Sequence, residues 1–315
     1  MLESLIVATN AVVPFLFYLL FGYGAKRFHL VDDVFLKSLT GAVFKLFFPF
    51  TMFCNIYRSQ ISMMPSPKLL MVCILGILAM QGALILIVPR IIKENSRRGV
   101  FVQAAFRSNL VLFGIPLTQT LFGNERSVVA AMLIAVMVPM YNMTSIIILE
   151  MFNGEGHTSV LSLVKKILRN PLIMGCIAGI AFLLLGLDLP QCIATPINAI
   201  SNLTTPLALF ALGGTLRFAA ISKNARILTA GLLIKLILAP LFFLLLGYAI
   251  GLRSVELFLL VAVFATPVAS SSYPMAANMG GDGELAGQFV FLSTSLCVPT
   301  LFLFIFFMQQ FGLIV

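Results

Sequence analysis

Apolar runs, each long enough to cross a bilayer as a helix, recur along this chain and leave little sequence between them. Such windows begin near positions 5, 34, 68, 100, 126, 170, 193, 224, 255 and 285. At 1.5 Å of rise per residue, ~20 helical residues match the hydrocarbon thickness of a bilayer. The chain is therefore predicted to be an all-α polytopic membrane protein with about ten transmembrane helices. These segments and their connections use nearly all of the 315 residues, of which 60% are hydrophobic and only 10% charged. A separate soluble catalytic domain has no room.

The first window, Leu5 to Ala25, is followed rather than preceded by its positive charges, Lys26 and Arg27. It therefore reads as a membrane helix and not as a signal peptide, with Asn10 and Pro14 interrupting it. The five cysteines, Cys54, Cys73, Cys176, Cys192 and Cys297, lack Cys-x-x-Cys spacing and read as free, small packing residues. The net charge of +9 is topological, with no nucleic-acid face implied. Lys26, Arg27, Lys37, the Arg90 to Arg98 run, Lys165 to Arg169 and Arg217 to Arg226 fall on one side. The other side holds Arg58, Lys68, Arg126 and Arg253. The positive side is expected to face the cytoplasm, which puts both termini outside the cytoplasmic membrane.

The fourth segment, Phe106 to Gly123, carries Arg107, Asn109 and a Gly114-Ile115-Pro116 step where a plain spanning helix would carry leucine. Proline lacks an N–H and clashes with the preceding turn, so a break is expected at Gly114-Ile115-Pro116. Freed backbone groups at membrane depth are tolerated where protein or a water-filled cavity receives them. The alternative is a kink that only shapes packing. The second such stretch runs from Phe264 to Pro274, where Pro267 and Pro274 bracket Ser270, Ser271 and Ser272. Those hydroxyls can bond back to freed carbonyls or face a substrate.

The order of features suggests a duplicated unit. Leu203-Thr204-Thr205-Pro206 echoes Leu46-Phe47-Phe48-Pro49, Pro274 and Gly281 echo Pro116 and Gly123, and Pro299 mirrors Pro139. Five helices per half, an odd number, would make the halves inverted repeats, with sites where discontinuous helices meet near the midplane. The first repeat is placed at 1-150, a central cytoplasmic loop at 151-169 and the second repeat at 170-315.

Three basic residues lie within apolar segments. Arg107 either faces a cavity, where a bidentate pair would suit a carboxylate, or snorkels to the inner interface. Lys235, five residues before Pro240, either compensates carbonyls freed by a neighbouring break or neutralises substrate charge. Lys45 reads as structural or interfacial. In the fifth helix, Pro139 and Tyr141 accompany Asn142, which joins the candidate site. No acidic group or histidine sits at depth, which disfavours an acidic proton relay. Coupling to Na+ through carbonyls and hydroxyls needs no formal charge. No paired carboxylates, His cluster or activated Ser/His constellation suggests an enzyme, and no cofactor or metal site is indicated.

Asn109-Leu110-Val111-Leu112-Phe113-Gly114-Ile115-Pro116-Leu117 resembles the fourth-helix motif of the auxin efflux carrier family, which includes the plant PIN-type carriers and many bacterial organic-acid permeases. The stretches Pro206 to Leu216, Lys235 to Pro240 and the segment around Pro267 are similar to family sequence as well. The resemblance implies ten helices in two inverted five-helix repeats, with broken fourth and ninth helices crossing at the substrate site. It implies a scaffold of helices 1, 2, 6 and 7 that commonly dimerises, and a transport domain of helices 3-5 and 8-10 moving like an elevator. Asn109 falls on the family's asparagine, which lies beside the substrate carboxylate. The long hydrophilic central loop of many plant members is absent here, as in the compact prokaryotic kind.

The expected function is a secondary transporter of a small organic anion, such as malate, malonate or an auxin-like acid. Its site would be built from Arg107, Asn109, Gly114, Ile115, Pro116, Asn142, Pro267, Ser270 and Ser271. A sodium-coupled symporter of the bile-acid-transporter type and a non-transporting membrane receptor are the rival readings.

Overall fold

The computed structural model of the chain describes residues 2–57, 65–153 and 168–314, and every regular element among them is helical. In chain order these are α1 (Leu2–Arg27), α2 (Asp33–Tyr57), α3 (Pro67–Ile91), α4 (Asn95–Phe106), α5 (Leu110–Phe122) and α6 (Asn124–Asn153). They continue with α7 (Pro171–Leu184), α8 (Gln191–Thr215), α9 (Phe218–Lys223), α10 (Ala225–Ala249), α11 (Ser254–Ala265), α12 (Ser272–Asn278) and α13 (Gly283–Gln310). Most of the expected central loop, at 154–167, lies outside the described residues, as do Arg58, Lys165 and Lys166.

Among the described residues, six helical stretches are long and apolar enough to cross a membrane: α2, α3, the α4–α5 rod, α6, α10 and α13. Phe17, Leu20, Phe21, Leu86, Ile91, Phe242 and Leu245 are exposed on the outer face, a disposition suited to lipid and not to water. The rods differ in depth within the protein. The apolar window of α4–α5 is 72% buried, whereas that of α3 is 28% buried, so the rod with the polar interruption is held at the centre and α3 lies at the periphery.

Glycine sets the closest helix contacts. A Cβ on Gly22 of α1 would stand 2.0 Å from the Phe210 carbonyl oxygen, and one on Gly213 of α8 would stand 1.9 Å from that of Leu19. In the same way, a Cβ on Gly175 of α7 would lie 2.3 Å from the carbonyl oxygen of Pro49 in α2. Without a strong hydrophobic drive between helices in lipid, such backbone-to-backbone approach is a main source of association.

Two helices change pitch near the centre. Val43–Phe47 in α2 and Ile234–Leu238 in α10 are π turns, each carrying a lysine, Lys45 or Lys235. Pro49 and Pro240 follow closely; each removes a donor from the ladder, a setting in which an extra residue is readily accommodated. The helix termini are fixed by polar side chains. Asp32 accepts from the Phe35 N–H at 2.7 Å, and Asp282 accepts from the Leu285 N–H at 2.9 Å.

Two sequence expectations require correction. The first helix is continuous through Pro14, so neither it nor Asn10 interrupts the rod. Cys192 is exposed and so is not a packing residue, while Cys54, Cys73, Cys176 and Cys297 are buried and form no disulfide. In the turn after α12, Gly280 takes the left-handed conformation at φ +75°.

Candidate functional site

The central rod breaks at Arg107-Ser108-Asn109, between α4 and α5. This corrects the expected position, since Gly114, Ile115 and Pro116 all lie inside α5. Pro116 is absorbed as a missing donor in a continuing helix, which frees the carbonyl of Leu112. The backbone opens instead where polar side chains and a contact from another element hold it. Arg107 caps α4 in an extended conformation, and the Asn109 N–H donates 2.8 Å to the carbonyl oxygen of Pro267.

The second break, Thr266 to Ser271, falls where Pro267 and the serines indicated. Proline drives the residue before it into extended backbone, and Thr266 has φ −68° and ψ 151°. Because Pro267 has no N–H, the Val263 carbonyl loses its helical partner. Two hydroxyls from other elements take that place, Ser108 Oγ at 2.5 Å and Tyr141 Oη at 2.9 Å. Lys235 Nζ in turn donates to Ser108 Oγ, and the Val268 N–H donates 3.0 Å to Ser293 Oγ. The two interruptions thus satisfy each other's backbone, with a buried ammonium behind them.

Beside this meeting point lies a cavity of about 120 Å³. Its wall combines Arg107, Ser108 and Asn109 from the first break, Ala269, Ser270 and Ser271 from the second, and Tyr141 and Asn142 from α6. Thr51, Met52 and Asn55 of α2 and Thr205 of α8 close it. Arg107 is 2% exposed, and its guanidinium donates to Asn142 Oδ1 and Ser271 Oγ, both at 2.5 Å, and to the Met275 sulfur. All these partners are neutral. The ion pairs among the described residues are Lys26 with Asp33 and Arg97 with Glu94 and Asp282, so Arg107 has no carboxylate counterpart there. The Asn109 carboxamide likewise faces the cavity with no hydrogen-bond partner among the described residues.

A larger cavity of about 670 Å³ lies near Lys26, Arg27, Lys37 and Arg217, with Asp33 and Glu284 as its acidic members. Tyr273 of α12 lies on its wall. The phenol shares hydrogen bonds with Thr215 Oγ1 at 2.8 Å and Thr40 Oγ1 at 3.5 Å.

Across residues 7–305 the chain matches the family described as membrane transport protein. This chain belongs to that family, of auxin efflux carrier type. A relative in Methanothermobacter thermautotrophicus, described as an uncharacterized transporter, is 25% identical over 297 residues, which covers 93% of this chain and 96% of the relative. The protein is thus a multi-pass membrane protein of a transporter family.

Within this family member, the structure brings Arg107, Asn109, Asn142, Ser270 and Ser271 to one cavity. Pro267 takes part through its carbonyl, and Lys235 reaches the site from behind through Ser108. Gly114, Ile115 and Pro116 do not line the cavity, and Lys45 is exposed in its π turn. Ser108, Tyr141, Thr51, Asn55 and Thr205 line it without having been singled out. A hydroxyl or amide in an otherwise apolar helix was the available signal for each.

Proposed function

We propose that this protein carries a small organic carboxylate across the membrane by alternating access. The observation that carries the reading is Arg107, a buried cation whose partners are neutral, beside a free Asn109 carboxamide where two interrupted helices meet. A substrate carboxylate completes that group as the missing anion, through charge-assisted hydrogen bonds. The exposed amide end of α5 adds a favourable dipole. A volume of about 120 Å³ favours a short acid such as malate or malonate over an auxin-like indole acid. The basic lining of the larger cavity supports its role as an approach path that concentrates anions.

In this reading the ten segments α1, α2, α3, α4–α5, α6, α7, α8, α10, α11–α12 and α13 form two inverted five-helix repeats, 1-150 and 170-315. The glycine contacts of α1 with α8 and of α2 with α7 support treating these four as a scaffold that dimerises. The remaining helices form a transport domain that moves as an elevator, in a cytoplasmic membrane with both termini outside. The test is uptake of radiolabelled malate, malonate and indole-acetate into proteoliposomes by wild type, Arg107→Gln and Asn109→Ala. Uptake of one acid, lost in both variants, is expected. Equal uptake in all three proteins rejects the site.

A sodium-coupled mechanism has its own support. The hydroxyls of Thr266 and Ser272, at the second break, are buried with no hydrogen-bond partner among the described residues. Replacing sodium with choline during uptake separates the two mechanisms.

A further inference from the structure

A groove of about 560 Å³ runs between the end of α3 and the start of α10, away from the site described above. Leu84, Val88 and Ile91 of α3 face Ile227, Ala230 and Ile234 of α10 across it. Ile91 and Ala230 are exposed, so the groove opens on the lateral face of two apolar rods. Its polar groups lie at one end. Arg97 there is engaged by Glu94 at 2.8 Å, Asp282 at 3.1 Å and Asn224 at 2.9 Å, which also accounts for the one acidic group of the rim. Lys93 and Arg226 are exposed on the same rim and have no ion pair among the described residues. Arg226 also sits in the first turn of α10, whose N-terminus has no side-chain cap.

We infer that this groove is a binding site for an anionic phospholipid. The apolar walls take an acyl chain, and the phosphate meets Lys93, Arg226 and the positive dipole end of α10. Each half of the arrangement argues for the other. A free anion has no use for the apolar walls, and a neutral lipid or a protein helix leaves two cations unanswered at the membrane boundary. The clamp of Arg97 on Asp282 and Asn224 ties the rim to α13, so an occupied groove braces α3, α4, α10 and α13 together.

The test is native mass spectrometry of the full-length protein in neutral detergent, titrated with dioleoyl phosphatidylglycerol, dioleoyl phosphatidylcholine or glycerol phosphate. Wild type should retain one phosphatidylglycerol in preference to phosphatidylcholine. Lys93→Gln with Arg226→Gln should weaken that binding roughly 30-fold, each basic group near an anionic headgroup contributing about fivefold. Ala230→Phe, which fills the groove at an exposed position and keeps both charges, should block the lipid. Equal retention of the two lipids, or unchanged affinity in the double variant, overturns the inference. Displacement of the lipid by glycerol phosphate at matched concentration would assign the rim to a soluble anion. A change of oligomeric state in Ala230→Phe with lipid retention intact would assign the groove to a protein contact. Either result also overturns it.

Discussion

The N–H of Asn109 donates to the carbonyl oxygen of Pro267 at 2.8 Å, so two helix interruptions 158 positions apart in sequence close on each other. The first break is held open from outside its own segment, and the second is opened by its own proline. That asymmetry sets the expected behaviour of the two prolines.

Pro267→Ala restores an N–H that competes with Ser108 and Tyr141 for the Val263 carbonyl. A continuous helix becomes favourable by up to about 3 kcal/mol, the usual cost of an interior proline. Uptake should fall about tenfold or more while the unfolding temperature in detergent is unchanged or raised. Pro116→Ala, inside α5, should retain most of its uptake.

Arg107→Gln should separate binding from folding. Hydrogen bonds to a charged group contribute about 1.5–3 kcal/mol, so affinity for the carboxylate should fall on the order of 10- to 100-fold. The variant also removes a buried cation with neutral partners, so stability without ligand should be equal or greater. Thermal unfolding with and without saturating substrate reads both quantities. A variant that unfolds earlier yet keeps its ligand-induced shift would assign Arg107 a packing role.

Gly213→Ala forces a methyl group to within 1.9 Å of the Leu19 carbonyl oxygen. The backbones of α1 and α8 must separate, with a loss of about 1–3 kcal/mol. The unfolding temperature should drop, whereas Gly24→Ala, with nothing within 4 Å of the added atom, should match wild type.

Tyr273→Phe removes the hydroxyl shared with Thr215 and Thr40. If that bridge holds the large basic cavity apart from the site, losing about 1 kcal/mol of it should raise the open population about fivefold. Alkylation of Ser270→Cys by a membrane-impermeant maleimide should accelerate accordingly. An unchanged rate would place the barrier elsewhere.

Helices were legible because apolar length is a local property, and Pro267 with its serines marked the second break for the same reason. The first break was misplaced because Pro116 is a strong local signal, whereas the contact that opens the backbone at Asn109 is non-local. Arg107, Asn142, Ser270 and Ser271 stood out as polar groups in apolar segments. Tyr141 and Ser108 escaped because their value lies in a carbonyl that a proline on another element leaves vacant. Lys235 was read either as compensating carbonyls freed by a neighbouring break or as neutralising substrate charge; its ammonium donates to Ser108 Oγ, which itself bonds the Val263 carbonyl.

Where Gly22 meets Phe210, Gly213 meets Leu19 and Gly175 meets Pro49, main chain touches main chain and nothing between them can change rotamer. Such seams behave as welds. Beside the site two contacts run through thioethers instead, Met52 with Asn142 and Met275 with Arg107, and these long, unbranched side chains can change rotamer. If one group of helices shifts against another, the glycine seams would oppose the displacement and these two methionines would tolerate it.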